Sequence, residues 1–201
     1  MIKLFISVTI FSSLAICSCG PQDPKYQYSE LVKSERARNV RFDSIFLGYY
    51  FGMPRKEFYD HSWKMNKEGT VMDGVNNLFI QYTLRDNQLR DSGSMNFFPD
   101  FYQDKIFKMR TEFAYDDWAP WNKSRFADSL LPDVLNFFKD WYPEGNPFIT
   151  ITDTTRGTIY VKVDGNRRIL IGKFDERLVK AEITDITVED ALLKVGVNEA
   201  K

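Results

Sequence analysis

A single histidine, His61, limits the chemistry open to this 201-residue chain. Ser–His–Asp hydrolysis needs an imidazole as general base, set beside a nucleophile on a sharp turn. His61 stands between Tyr59 and Trp63 in a stretch of helical pattern, and nothing near it reads as a nucleophile elbow. A surface or partly packed histidine is therefore the expectation. One histidine and a supply of carboxylates also make a poor zinc site, because zinc favours nitrogen and sulfur donors. Paired acids occur at Asp116-Asp117 and Glu189-Asp190. Glycoside hydrolysis needs two carboxyls held apart across a sugar, which adjacency in the chain does not provide. The expectation is a protein that is not an enzyme and that uses no metal or cofactor.

The most pointed candidate for binding is the run Asp116-Asp117-Trp118-Ala119-Pro120-Trp121-Asn122-Lys123. Trp118 and Trp121 on a loop, with Asp117, Asn122 and Lys123 beside them, suit stacking on a sugar face with hydrogen bonds to its hydroxyls. Exposed tryptophans equally suit a protein hot spot. The competing expectation is structural, with the two indoles wedging the halves of the fold together. Arg167, Arg168 and Lys173 form a small basic group that reads as a solvated strand face.

Holding these residues requires a packed body, and the composition provides for one. Hydrophobic residues make up 43% of the chain and charged residues 27%, the balance of a folded soluble domain. Aromatics are 15%, led by 17 Phe, and supply large packing surfaces. Lys and Arg number 27 against 28 Asp and Glu, which argues against a nucleic-acid partner, since that contact depends on clustered cations. Both cysteines, Cys17 and Cys19, lie near the N-terminus, so the body has neither a disulfide nor a free thiol.

Along the chain, residues 19–39 carry Pro21, Pro24, several charges and few apolar side chains, which reads as a tether. Gly52-Met53-Pro54 opens a helix to about Asn66, with Gly69 as its stop signal. Strands follow at 77–84, 94–101 and 105–115, where Phe107, Met109, Thr111 and Phe113 alternate with Lys108, Arg110 and Glu112 in the pattern of a half-buried antiparallel sheet. Asp86-Asn87 and Tyr102-Gln103-Asp104 are the expected turns, and Pro99 implies an edge strand or a bulge. A second helix over 129–142, with Asp128 as N-cap, carries Leu131, Val134, Leu135, Phe138 and Trp141 on one stripe. Strands are expected again at 148–152, 158–163, 167–171 and 178–186, with Asp164-Gly165 as a type I′ hairpin turn and Asp175-Glu176-Arg177 as a weaker one. A short helix is expected after Val188.

The N-terminus reads as an address. Lys3 precedes an uncharged apolar run from Leu4 to Ile16, followed by small residues, which is the order of a secretory signal. The run is shorter than the roughly 20 residues of a membrane-spanning helix. Ile16-Cys17-Ser18-Cys19 resembles the lipobox of bacterial lipoproteins, with the aliphatic residue three before Cys19 and a small residue just before it. Leu14-Ala15-Ile16-Cys17 fits less well, because bulky Ile16 would stand at the cleavage position. The resemblance implies cleavage after Ser18, acylation of Cys19 and residence in a Gram-negative-type cell envelope, with the outer membrane as the implied destination. Several acyl chains would anchor such a protein stably.

The order of helix then strands, helix then strands, gives the expected fold class, α+β. The expectation is two tandem helix-plus-antiparallel-sheet units forming one globular block, with residues 1–18 as signal peptide, 19–39 as lipidated tether, 40–123 as the first unit and 124–201 as the second. Phe51-Gly52-Met53-Pro54-Arg55-Lys56-Glu57-Phe58 resembles the helix entry of BamE/SmpA-type lipoproteins, and the tandem arrangement resembles the beta-lactamase inhibitor protein fold. Together these resemblances imply helices packed on an antiparallel sheet that serves as a binding surface. The functional expectation is a lipid-anchored, non-catalytic module that binds another macromolecule or serves assembly, with an envelope protein or a glycan as its partner. A glycan-binding accessory protein and a periplasmic inhibitor or immunity-type protein are the alternatives.

Overall fold

The computed structural model describes residues 23–74, 79–84, 87–153 and 157–199, side chains at 153 and 195–199 excepted. Cys19 and the lipobox, Asn77 at the expected start of a strand, and Asp86 of an expected turn lie outside these residues. The chain is mixed α+β. Helices α1 (Pro24–Arg38), α2 (Arg55–Lys67), α3 (Ala127–Trp141) and α4 (Ile186–Glu199) accompany strands β1 (Met72–Asp73), β2 (Ile80–Thr83), β3 (Gly93–Tyr102), β4 (Lys105–Tyr115), β5 (Ile149–Asp153), β6 (Gly157–Asp164), β7 (Arg167–Lys173) and β8 (Val179–Asp185). The strands form one antiparallel sheet in the order β1-β2-β3-β4-β8-β7-β6-β5. No helix among the described residues is long and apolar enough to cross a membrane.

Alternation decides which side chains enter the core. Met109, Thr111 and Phe113 of β4 pair with Ile183, Ala181 and Val179 of β8, and all six are buried. Ile169 and Ile171 of β7 extend this surface through their pairing with β8. Helix α3 lies over β4, β8 and β7. Its Phe137 and Phe138 rings meet Phe113 at 5.6 and 5.8 Å, edge-on. The segment 42–54 fills the rest of this face, with Phe46 against Phe97 at 5.1 Å and against Trp141 at 5.3 Å. It is stitched to the β3–β4 hairpin by Gly52 N–H to the Ile106 carbonyl at 2.8 Å and Ile106 N–H to the Met53 carbonyl at 3.0 Å.

Residues 24–38 are a helix, which corrects the tether expected at 19–39. Asp23 caps α1 by accepting from Lys25 N–H at 2.9 Å, and Pro24 takes the first turn, where its missing N–H costs nothing. Tyr28, Leu31 and Val32 pack on a second apolar cluster of Val161, Val163 and Ile186, on the sheet face opposite α3. Glu35, 3% exposed, accepts from the Gly165 N–H at 2.8 Å and from Arg38 at 2.8 Å. The helix is short of apolar residues because its docking is partly polar.

Other expectations shift in detail. Helix α3 begins before Asp128, whose carboxylate instead meets Lys173 Nζ at 2.7 Å. The first N–H of the helix, on Ala127, is satisfied by the Glu176 carbonyl at 2.8 Å, so a tertiary contact replaces the cap. The β6–β7 turn has Gly165 and Asn166 at its centre, and only Gly165 has positive φ, at 54°. That is the pattern of a type II′ turn rather than type I′. A Cβ at Gly165 would also collide with the Val40 carbonyl. Pro99 lies in β3 past the last described pair with β2, Ile80 with Phe97, and the pairing of β3 with β4 shifts next to it at Asp100/Phe101.

Burial raises the proton affinity of the Glu35 carboxyl, but the Gly165 N–H, the Asn146 side chain and Arg38 outweigh it and hold it below its ordinary value of 4.5. A depressed carboxyl stabilises the fold above the unfolded value, and that contribution is lost as pH falls through the folded one. Glu35→Ala is expected to cost about 1.5–3 kcal/mol at pH 7 in urea denaturation. The parent chain is expected to lose stability as pH falls below 4.5, and Glu35→Gln is expected to flatten that loss.

Candidate functional site

The Trp118 and Trp121 loop joins β4 to α3. Trp118 is half-buried and stacks on Phe126, with centroids 6.0 Å apart at 29°. Trp121 is 85% exposed. The two rings therefore do not share one environment, and no two-ring platform forms. Asp117 and Lys123 are exposed, while Asn122 is half-buried and accepts from Ser124 Oγ at 2.7 Å. Beside the loop, Arg125 pairs with Asp91 at 3.3 Å.

His61, the Glu189-Asp190 pair and the basic group are engaged by neighbours. His61 Nε2 lies 2.8 Å from the Leu47 carbonyl, an atom that only accepts, so this nitrogen carries the proton. The imidazole also meets the Tyr49 ring edge-on at 4.9 Å. Tyr49 in turn shares a 2.8 Å hydrogen bond with Ser62, and burial pushes its phenol up to about 12 against the opposing pull of that bond. His61 thus helps dock α2 on the 42–54 segment. Glu189 pairs with Arg168 at 2.8 Å and with Lys108 at 3.6 Å, and Asp190 pairs with Arg36. The basic group at the last hairpin is split: Arg167 is buried on Asp164, Arg168 is on the opposite sheet face, and Lys173 binds Asp128.

Two concave surfaces stand out among the described residues. One is a depression of about 670 Å³ on the sheet face opposite α3, where Arg110, Glu112, Lys180 and Glu182 stand between Leu170 and Phe174. Its charges neutralise one another, with Lys180 on Glu112 at 2.8 Å and Arg110 on Asp100 at 2.8 Å. The other is an open groove of about 540 Å³ between α2 and strands β1–β3, walled by Tyr59, Trp63, Met72, Phe79, Ile80 and Phe98. Asp60, Asn66 and Asp73 line its polar margin. Tyr59, Trp63 and Met72 are 49%, 63% and 48% exposed, so three large apolar side chains on one groove are left uncovered.

Helical spacing produces this groove. Phe58, Ser62 and Met65 recur at four and three residues and are buried. Tyr59 and Trp63 fall one position later, on a second stripe that faces away from the core, and Lys67 extends it with its ammonium 3.5 Å from the Trp63 ring centre. Sequence reasoning noted both aromatics only as neighbours of His61. The usable signal was an aromatic pair four residues apart and out of phase with the buried stripe.

Comparison with protein-family models, curated proteins and solved structures finds no match to this chain.

The half-buried setting of Trp118 sets its cost below the roughly 3–5 kcal/mol of a fully buried aromatic truncation. Trp118→Ala is expected to lose about 1–3 kcal/mol in chemical denaturation, and Trp121→Ala less than about 0.5 kcal/mol. Equal losses for the two variants would contradict the assignment.

Proposed function

We propose that this protein is a lipid-anchored cell-envelope module that binds another macromolecule and performs no chemistry of its own. The observation that carries the reading is the groove beside α2, where Tyr59, Trp63 and Met72 lie exposed together. Clustered aromatic and methionine side chains with a polar margin are the composition of protein-binding surfaces, whose energy concentrates in a few such anchors. The groove lies alongside β1, the short strand at one edge of the sheet, whose outer backbone groups can pair with an extended segment of a partner.

The same reading treats the chain as two helix-plus-sheet units, α2 with β1–β4 and α3 with β5–β8. Its support is the strand order, in which each set of four strands is a consecutive meander and the two sets meet at β4 and β8. A glycan partner at the tryptophan loop draws less support, because a single exposed ring is present there.

Site-specific photo-crosslinking in the intact envelope tests the reading. A photoreactive residue in place of Trp63 is expected to yield a discrete protein adduct, and Tyr59→Ala in the same chain is expected to reduce it at least about tenfold, the effect of losing roughly 1.4 kcal/mol of binding. A discrete adduct from position 121 with none from position 63 would move the site to the tryptophan loop.

A further inference from the structure

The aromatic groove beside α2 continues onto the sheet. Phe79 lines both the groove and the depression on the face opposite α3, so the two concave surfaces adjoin. Phe98, also in the groove wall, pairs with Arg110 across β3–β4, Arg110 pairs with Glu182 across β4–β8, and Glu182 pairs with Leu170 across β8–β7. Paired residues project to the same side of a sheet, so these four form one row over the open face. The row crosses three strand spacings of about 4.8 Å, on the order of 14 Å, with an apolar residue at each end and a cation and an anion between them.

Charge and shape select the occupant. The side chains of Arg110 and Glu182 are 50% and 43% exposed, and Phe174, 61% exposed, stands past Leu170 in the same depression. Arg110 pairs with Asp100 at 2.8 Å, Lys180 with Glu112 at 2.8 Å and Lys108 with Glu182 at 3.8 Å, so the face has no excess of cations to draw a nucleic acid or an anionic lipid. Trp63 and Phe174, the exposed rings at the two ends, each have an ammonium 3.5 Å from the ring centre, from Lys67 and Lys180, so one face that a sugar would stack on is already taken. A polypeptide, with apolar side chains around polar ones of either sign, matches the row. The neighbouring row, Lys108–Thr184–Arg168, lies about 6.6 Å away along the strands and is roofed by Glu189, which pairs with Arg168 and Lys108. A helix, about 10–12 Å across, would run into that roof, whereas an extended strand clears it.

We infer that the partner docks through an extended polypeptide segment that fills the groove beside α2, passes Phe79 and Phe98, and crosses the open sheet face to Leu170 and Phe174. The inference rests on the reading of the groove as a protein-binding site and adds the rest of the path. An extended chain advances about 3.3 Å per residue, so about four residues cover the row, and residues four apart in such a chain point to the same side. The segment therefore sets apolar side chains at i and i+4 on Phe98 and Leu170, with a polar residue at i+2 over Arg110 and Glu182.

The test places a photoreactive phenylalanine analogue at position 63 or, in a separate full-length chain, at position 174, and maps the adducts formed in the intact envelope by mass spectrometry of the crosslinked peptides. Both positions are expected to mark the same partner protein within one contiguous stretch of about ten residues, the length an extended chain needs to join the two ends. Phe174→Ala, an exposed change outside the groove, is expected to lower the adduct yield from position 63 at least about threefold, because both ends hold one segment. Adducts on separate stretches or on different partners, an adduct from position 63 with none from position 174, or an unchanged yield in the Phe174→Ala chain overturns the inference and leaves the groove as the binding site. Absence of any protein adduct from position 63, or an adduct to glycan there, overturns the groove reading and the inference together.

Discussion

The pairing of β4 with β8 makes one body of this chain. Six residue pairs, from Lys108 with Thr184 to Phe113 with Val179, join strands far apart in sequence. Without that seam, each run of four strands would expose an apolar central edge, the kind of edge that templates aggregation. Thr111, 1% exposed, shows how completely the seam is closed: its hydroxyl donates to the Ala181 carbonyl at 3.0 Å, so the polar atom among Met109, Phe113 and Ile183 is satisfied inside the sheet. Helix α3 then covers the seam on one face, and the 42–54 segment packs beside it over β3. The edges that remain are β1, which is two residues long, and β5, which α1 covers.

A second set of contacts, polar and buried, binds the N-terminal part of the chain to the β6–β7 hairpin. Lys162 donates to the carbonyls of Glu144 and Asn146 and pairs with Asp164 at 3.3 Å; Arg167 pairs with Asp164 and donates to the Ser44 carbonyl at 3.0 Å. Asn166 accepts from Phe42 N–H at 2.6 Å, and Arg41 reaches Asp185 at 2.8 Å. Buried ion pairs add little net stability, but removing one partner leaves a charge stranded, so such networks enforce a single arrangement of the segments they join. Here they join α1, the 40–45 segment, the 143–147 loop and the hairpin. The position of α1 is therefore tied to the core of the sheet even though few of its side chains are apolar.

The sequence carried much of this where side-chain period was strong. The limits of β4 follow from the alternation of Met109, Thr111 and Phe113 with charged residues, and α3 follows from its apolar stripe. Helix α1 was hidden because its amphipathic face is weak and its main anchor is Glu35, a residue whose burial depends on a backbone N–H 130 positions away. Asp23-Pro24 was a legitimate start signal masked by the polar composition around it. The Asp128 cap failed for a similar reason, since a carbonyl from another loop took over its task. At the surface, pattern could not separate Trp118 from Trp121, because what divides them is the stacking of one ring on Phe126. The groove at Tyr59 and Trp63 exists only once α2 is laid beside β1–β3.

Hydrogen exchange of the native protein, resolved by residue across β3, β4, β8 and β7, tests most directly whether the β4–β8 seam makes the sheet a single rigid body. Amides of all four strands are expected to exchange only through global unfolding, with one shared free energy that equals the value from denaturant titration. A lower, separate free energy for β7 and β8, with β3 and β4 still protected, would show that the two runs of strands open independently and would contradict the account.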